Sequence, residues 1–301
     1  MPRNMVLPVA EFASTIRYGE AGVTPVAAGQ EGPIARVGNL DVVRNAAGTL
    51  VVSEVREATA ADTVGHPSLH FVTAPFQQCE VLLPGGTRVR LNAGSELNYP
   101  LLLPGPDVCY VRIEGEAQVS VPAGAAARVV VETVNSQVQA VQGEFAMLAT
   151  AAETRVTLLD GALSVISKQQ REHRLVEQRG GQATVRWVHE LNGTLTESLY
   201  YRKTGNAEEA IGWTKASRRY REASLREYVA DVSRWYGIKV KDIHCIPASM
   251  RVDAMICYRA PLGEALAIVV KAGLQVNRYK GMYSFCDSDD MFRPVMANRT
   301  R

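Results

Sequence analysis

The chain has 301 residues, with 33 Lys and Arg against 31 Asp and Glu and a formal net charge of +2. That length suits one large domain or two ordinary ones. The near-neutral total excludes a nucleic-acid argument built on bulk charge, because phosphate binding needs a concentrated basic excess. Hydrophobic residues make up 47% and charged residues 21%, which supports a proper core and argues against compositional disorder.

No run reaches the roughly 18 apolar residues that a spanning helix needs. The nearest, Met5 to Ala13, is broken by Pro8 and Glu11. It is also too short for a signal peptide, so the chain reads as soluble. Residues 1–33, weakly patterned and punctuated by Gly19, Gly22, Pro25, Gly29 and Gly32, read as a tail or linker.

From residue 34 the sequence is dense in short, alternating, Val- and Leu-rich segments. Leu40–Val43 and Thr49–Val52 flank a turn at Asn45–Gly48, and Cys79–Leu83 and Thr87–Leu91 flank Pro84-Gly85-Gly86. Further runs follow at 109–113, 117–121, 128–133, 136–141, 144–150, 154–159 and 162–167. Short strands at this spacing without helices predict a mainly β domain, a short-strand solenoid or a sandwich, over 34–212. The charged run 168–175 reads as a solvated strand or loop. A domain boundary is placed near residue 212.

The period then changes. Leu225, Tyr228, Val229, Val232 and Tyr236 recur at helical spacing. Ser224 and Glu227 predict a capping box, and Gly237 a stop. A second helix is expected over Pro261–Ala272, with strands at 217–221, 238–241, 251–258 and 281–286. Ala223–Val229 lines up with Ala260–Leu266, an internal repeat of 37 residues. The segment 213–290 therefore reads as a small α/β module (β-α-β, β-α-β-β), two helices on a small sheet, with 291–301 as a tail. Tyr236 continues the apolar stripe. Trp235 lies at its margin, suited to the core or to a contact surface, and Trp187 and Trp213 suit a core or a domain junction.

Signatures of chemistry are missing. There is no phosphate loop, no G-x-S-x-G, no H-E-x-x-H and no G-x-G-x-x-G after a strand. His66 and His70 have i,i+4 spacing but sit beside Pro67. The five cysteines, Cys79, Cys109, Cys245, Cys257 and Cys286, contain no C-x-x-C. They read as buried apolar residues, with one disulfide open within the last three. His244 with Cys245, Cys257 and Cys286 matches no common zinc spacing. Asp287, Asp289 and Asp290 read as a solvated turn. No catalytic residue, metal or cofactor is expected, and the chain is read as a non-enzyme.

Leu83-Pro84-Gly85-Gly86-Thr87 followed by Leu91-Asn92-Ala93-Gly94-Ser95-Glu96-Leu97-Asn98-Tyr99-Pro100 resembles the central signature of FecR-type anti-sigma regulators, L-P-D-G-T then L-N-A-x-S-x-L-x-Y-P. Glu114–Ala117 with Val119 and Val121, Val138–Phe145, and Val156–Leu158 with Gly161 resemble three further family segments in the same order. The likeness covers about residues 68–170. Gly85, Val119 and Glu144 depart from the usual Asp, Phe and Thr. The C-terminal repeat, with Ser233–Gly237, resembles the STN-like module found in the same family, in secretins and in TonB-dependent receptors.

The resemblance implies a periplasmic, signal-receiving protein, inner-membrane anchored in the family. Its STN-like module would contact the signalling domain of an outer-membrane TonB-dependent transducer. The signal would reach an extracytoplasmic-function (ECF) sigma factor through a cytoplasmic segment that this chain does not show. The expected partner-binding residues are Leu225, Tyr228, Trp235, Arg251 and Tyr258, on a module offering a strand edge. The alternative is a cell-surface glycan-binding β module. It requires an exposed aromatic platform among Phe71, Phe76, Tyr99, Tyr110 and Phe145.

Overall fold

The structure, a computed structural model, describes residues 12–18, 22–27, 31–55, 68–100, 107–125, 127–189, 194–203, 205–215 and 217–286. These fall into two compact units that divide between Ile211 and Gly212.

The first unit is built from sixteen strands. They are β1 Phe12–Tyr18, β2 Gly22–Ala27, β3 Gly32–Val37, β4 Leu40–Arg44, β5 Leu50–Glu54, β6 Ser68–Thr73, β7 Cys79–Leu82 and β8 Arg88–Leu91. Then come β9 Glu96–Pro100, β10 Val108–Val121, β11 Arg128–Glu132, β12 Ser136–Ala149, β13 Glu153–Ser167, β14 His173–Val176, β15 Gln182–His189 and β16 Leu195–Arg202. A single turn of helix, α1, covers Ala207–Ala210. The strands form one sheet whose main path is β16-β15-β13-β12-β11-β10-β8-β7-β5-β4-β3. Pairs are antiparallel except β10–β11 and β5–β7.

The mainly β expectation holds, but two parts of it need correction. The stretch read as a tail supplies β1 and β2, with β1 paired to both β2 and β6. Pro25 lies within β2 opposite Thr15, and Gly22 and Gly32 open β2 and β3. The strands are also not all short. β10, β12 and β13 run for 14, 14 and 15 residues, each merging two segments that the sequence separates.

The mergers occur at glycines. Gly143 (φ 114°) and Gly161 (φ 80°) face each other across β12–β13. A Cβ on Gly143 would stand 2.4 Å from the Asp160 carbonyl oxygen, and one on Gly161 would stand 2.9 Å from the Gly143 Cα. Gly115 (φ 93°) lies equally close against Ser95. Positive φ and absent side chains let the strands bend there without ending. Beyond each bend the partners change: β10 pairs with β11 and β9 before Gly115, and with β12 and β8 from it onward.

Alternation then turns one residue in two inward. Val81, Val89, Leu91, Leu97, Val111, Val119, Phe145, Val156, Leu158 and Val185 belong to one continuous core. Each such aliphatic side chain contributes about 1.5–3 kcal/mol by leaving water.

The second unit contains β17 Ser217–Ser224, α2 Leu225–Tyr236, β18 Lys239–Val240, β19 Arg251–Cys257, α3 Leu262–Lys271, β20 Asn277–Tyr279 and β21 Met282–Ser284. Its strands form two sheets, not the single small sheet expected. β17 pairs antiparallel with β19, while β21 pairs parallel with β18 and antiparallel with β20. The capping box is also absent: the Ser224 side chain makes no cap bond. Ser224 is still the last residue of β17, paired with Arg251, and the Leu225 N–H donates to the Met250 carbonyl at 3.0 Å. That bond satisfies one of the four donors left orphaned in the first turn, the N–H of Leu225.

A disulfide joins Cys245 to Cys286, with Cα atoms 5.9 Å apart. It ties the loop after β18 to the residues just beyond β21. Cys79, Cys109 and Cys257 lie outside the disulfide, the first two buried and Cys257 exposed. His66, Pro67 and the Asp287–Asp290 turn lie outside the described residues. No helix among the described residues is long and apolar enough to cross a membrane.

Candidate functional site

The signature residues of the first unit form a buried polar lock, not a surface. Asn92, Ser95, Glu116 and Thr73 are each at most 4% exposed. The Asn92 amide donates to Glu116 Oε2 at 2.8 Å. Ser95 Oγ accepts from the Glu116 N–H at 2.9 Å and donates to its carbonyl at 3.2 Å. Thr73 Oγ1 accepts from the Ser95 N–H at 2.8 Å and lies within donor reach of the Asn92 and Ser95 carbonyls, at 2.6 and 3.0 Å. The L-N-A-x-S segment thus fastens β6, β8, β9 and β10 together beside the Gly115 bend.

A second lock repeats the device at the β11–β12 turn. Thr154 Oγ1 donates toward Asn135 Oδ1 at 2.7 Å, and the Asn135 amide donates to the Val185 carbonyl at 3.0 Å. Buried polar groups at turns that are fully bonded rigidify a fold, and the same groups left unpaired would be costly.

No group of three or more His, Cys, Asp or Glu among the described residues could hold a metal ion. Cys245 and Cys286 bond to each other, so they offer no thiolates to the His244 set. Nor do the five aromatics of the glycan alternative form a platform. Phe71, Tyr99 and Phe145 are buried, Tyr110 is half-buried, and of the five Phe76 alone is exposed.

The second unit distributes the five expected partner-binding residues unequally. Leu225 and Tyr228 are fully buried and Trp235 nearly so, so their side chains serve the unit's own core. The aromatic rows of α2 face the α3 half of the unit. The Tyr228 hydroxyl donates to the Ala265 carbonyl at 2.8 Å, Trp235 Nε1 to the Tyr258 carbonyl at 3.1 Å, and the Tyr236 hydroxyl to the Ala260 carbonyl at 2.7 Å. Burial pushes the Tyr236 hydroxyl up to about 12. Tyr258 is half-buried, with its ring centroid 4.2 Å from that of Trp235. Arg251 is exposed, and its guanidinium donates to the Ala248 carbonyl at 2.7 Å.

Inside the unit Asp231 organises the inner side of β17. Arg218 Nη1 lies 3.0 Å from its carboxylate, Arg234 pairs with it, and the Tyr220 hydroxyl donates to it at 3.0 Å. Burial, reinforced by the Asp231 charge, holds the Tyr220 hydroxyl well above its ordinary range.

Strand alternation therefore turns Arg219 and Arg221 outward, and both are exposed. In the register Arg219 lies opposite Met255, which is 61% exposed. These three were not singled out from the sequence. Their signal was the S-R-R-Y-R pattern around a buried tyrosine, which assigns faces once Tyr220 is known to point inward.

Comparison with known proteins fits this division. Residues 70–164 match the FecR protein family. The FecR segment thus takes in β7 to β12, the first polar lock, Asn135 and Thr154 of the second, and the three bend glycines. No curated protein matches the chain. Two crystal structures of a candidate anti-sigma factor from Parabacteroides distasonis are similar in fold, each with a TM-score of 0.57. They are 20% and 17% identical, and the likeness covers 73% of this chain and 99% of theirs.

Proposed function

We propose that this chain is the periplasmic signal-receiving part of a FecR-type anti-sigma regulator. The unit from residue 212 acts as the STN-like module and docks on the signalling domain of an outer-membrane TonB-dependent transducer. The relay ends on an ECF sigma factor and works by protein–protein contact alone.

The observation that carries this reading is the FecR match over the locked β unit, in a chain whose fold is like that of a candidate anti-sigma factor. The Cys245–Cys286 disulfide adds support, because such bonds persist in oxidising compartments such as the bacterial periplasm. The exposed outer face of β17–β19 supplies accessible surface in the second unit.

A reporter driven by the cognate sigma factor tests the reading in cells. Deleting the gene is expected to uncouple the reporter from the transducer's ligand, leaving it fixed high or fixed low. A reporter that still follows the ligand as in the parent strain contradicts the reading.

A further inference from the structure

The chain's near-neutral total hides an uneven distribution. Residues 212–286 carry 13 Lys and Arg against 6 Asp and Glu, a net +7, while residues 10–211 carry 16 against 22, a net −6. In the second unit the inner arginines are paired locally: Arg218 and Arg234 share Asp231, which offsets one of their two charges. Arg219 and Arg221 are exposed and form no ion pair among the described residues.

The surface they occupy has a second property. β17 and β19 form a two-stranded sheet, and among the described residues neither strand pairs with a further one. A short helical turn at Gly212–Thr214 packs beside β17, whereas β19 packs on β17 and α2. The exposed residues of the pair are Arg219, Arg221 and Glu222 on one strand and Arg251, Asp253, Met255 and Cys257 on the other, with the Glu222 N–H bonded to Asp253 Oδ1 at the bulge after Tyr220. Packing on α2 supports the pair, and its open edge is a template for another strand.

We propose that the outer face and open β19 edge take an extended acidic segment of a partner protein. The segment adds as a third strand beside β19, with the carboxylates of every second residue on its outer face and reaching across β19 toward Arg219 and Arg221. Strand addition takes its affinity from main-chain bonds and its choice of partner from alternate side chains, which charge complementarity would set here. This rests on the docking reading above and specifies the chemistry of the partner.

The test is a titration of the full chain, followed by NMR shift changes. The probes are a short capped peptide in which Glu alternates with Val, and its twin with Lys for Glu. The expected result is saturable binding of the Glu peptide alone, with shifts confined to β17 and β19. In Arg219→Glu/Arg221→Glu, affinity falls by at least about tenfold. Both sites are exposed, and an unchanged circular-dichroism melt checks the fold.

Equal response to both peptides, or none to either, overturns the proposal. The second outcome assigns the arginines to keeping the edge from self-pairing. Equal or stronger capture of the chain by phosphatidylglycerol vesicles, lost in the same variant, also overturns it in favour of a membrane surface. Concentration-dependent self-association lost in that variant does so in favour of a second copy.

The transducer's signalling domain separates this inference from the docking reading. If that domain binds the parent chain and the double variant equally, docking stands and the acidic-partner inference falls. If the Glu peptide binds and no signalling domain does, the inference stands and the docking reading falls.

Discussion

Replacing Asn92 by alanine removes the amide that bonds the buried Glu116 carboxylate at 2.8 Å, at a site where Asn92 is 4% exposed and water cannot substitute. A hydrogen bond to a charged group contributes about 1.5–3 kcal/mol, and the carboxylate left behind keeps its desolvation penalty. Asn92→Ala should therefore destabilise the first unit by about 2–3 kcal/mol. Glu116→Ala orphans the Asn92 amide instead and should destabilise by a similar amount. The double variant leaves neither group stranded, so its loss should fall short of the sum by about 1.5 kcal/mol or more. Urea unfolding followed by circular dichroism measures this. With an m-value of about 2.5 kcal/mol/M, each single variant moves the midpoint down by about 1 M. Single losses below about 0.5 kcal/mol, or strict additivity, would refute the claim that the signature segment is a structural lock.

Three other outcomes follow from the same geometry. Gly143→Ala forces a Cβ to 2.4 Å from the Asp160 carbonyl at φ 114°, and should lower the stability of the first unit by at least about 2 kcal/mol in the same assay. Reducing the Cys245–Cys286 bond releases a loop with a sequence separation of 41, so the second unit should lose about 4 kcal/mol on the chain-entropy account. Fluorescence of Trp213 and Trp235 in a Trp187→Phe background reads this, and an unchanged urea midpoint in dithiothreitol counts against it. Burial pushes the Cys109 thiol up to about 11 from its ordinary value of 9.0. The folded state then holds a proton that the unfolded chain gives up, so this contribution is complete below about pH 9. It is lost as pH rises toward 11, by about 2–3 kcal/mol in all. Cys109→Ala should flatten that part of the stability–pH curve, and an identical slope in the variant would contradict the assignment.

Much of the first unit was legible because its strands alternate strictly, as Arg88-Val89-Arg90-Leu91 does with Val89 and Leu91 fully buried. Its bends were not. A glycine at positive φ ends a strand or kinks it, and the choice lies in what pairs beyond it, which for Gly143 is Gly161 across the sheet. The frequent glycines of residues 19–32 hid β1 and β2 from the same reading. The signature residues were visible as a pattern, yet their role needed the fold, since Asn92 meets Glu116 from 24 residues away.

In the second unit, Leu225, Tyr228, Val229, Val232 and Tyr236 share a helical face in sequence and are all buried in α2. Trp235 is buried with them because its indole N–H finds the Tyr258 carbonyl inside the unit, a partner that helical spacing does not reveal. An aromatic with a polar tip suits a core or a contact surface equally until that tip's partner is known. The outward arginines were missed for a related reason. Arg218 and Arg219 are neighbours of the same type, and only Asp231 tells the inner one from the outer. The charge excess of the second unit appears only when residues are counted on either side of the division at 211 and 212.

The central claim is that this molecule works by being bound. Calorimetric titration of the full chain with the signalling domains of TonB-dependent transducers from its own genome tests that most directly. Saturable one-to-one binding to at least one domain, weakening as salt is raised, is the result predicted. Absence of binding to every one of them would contradict it.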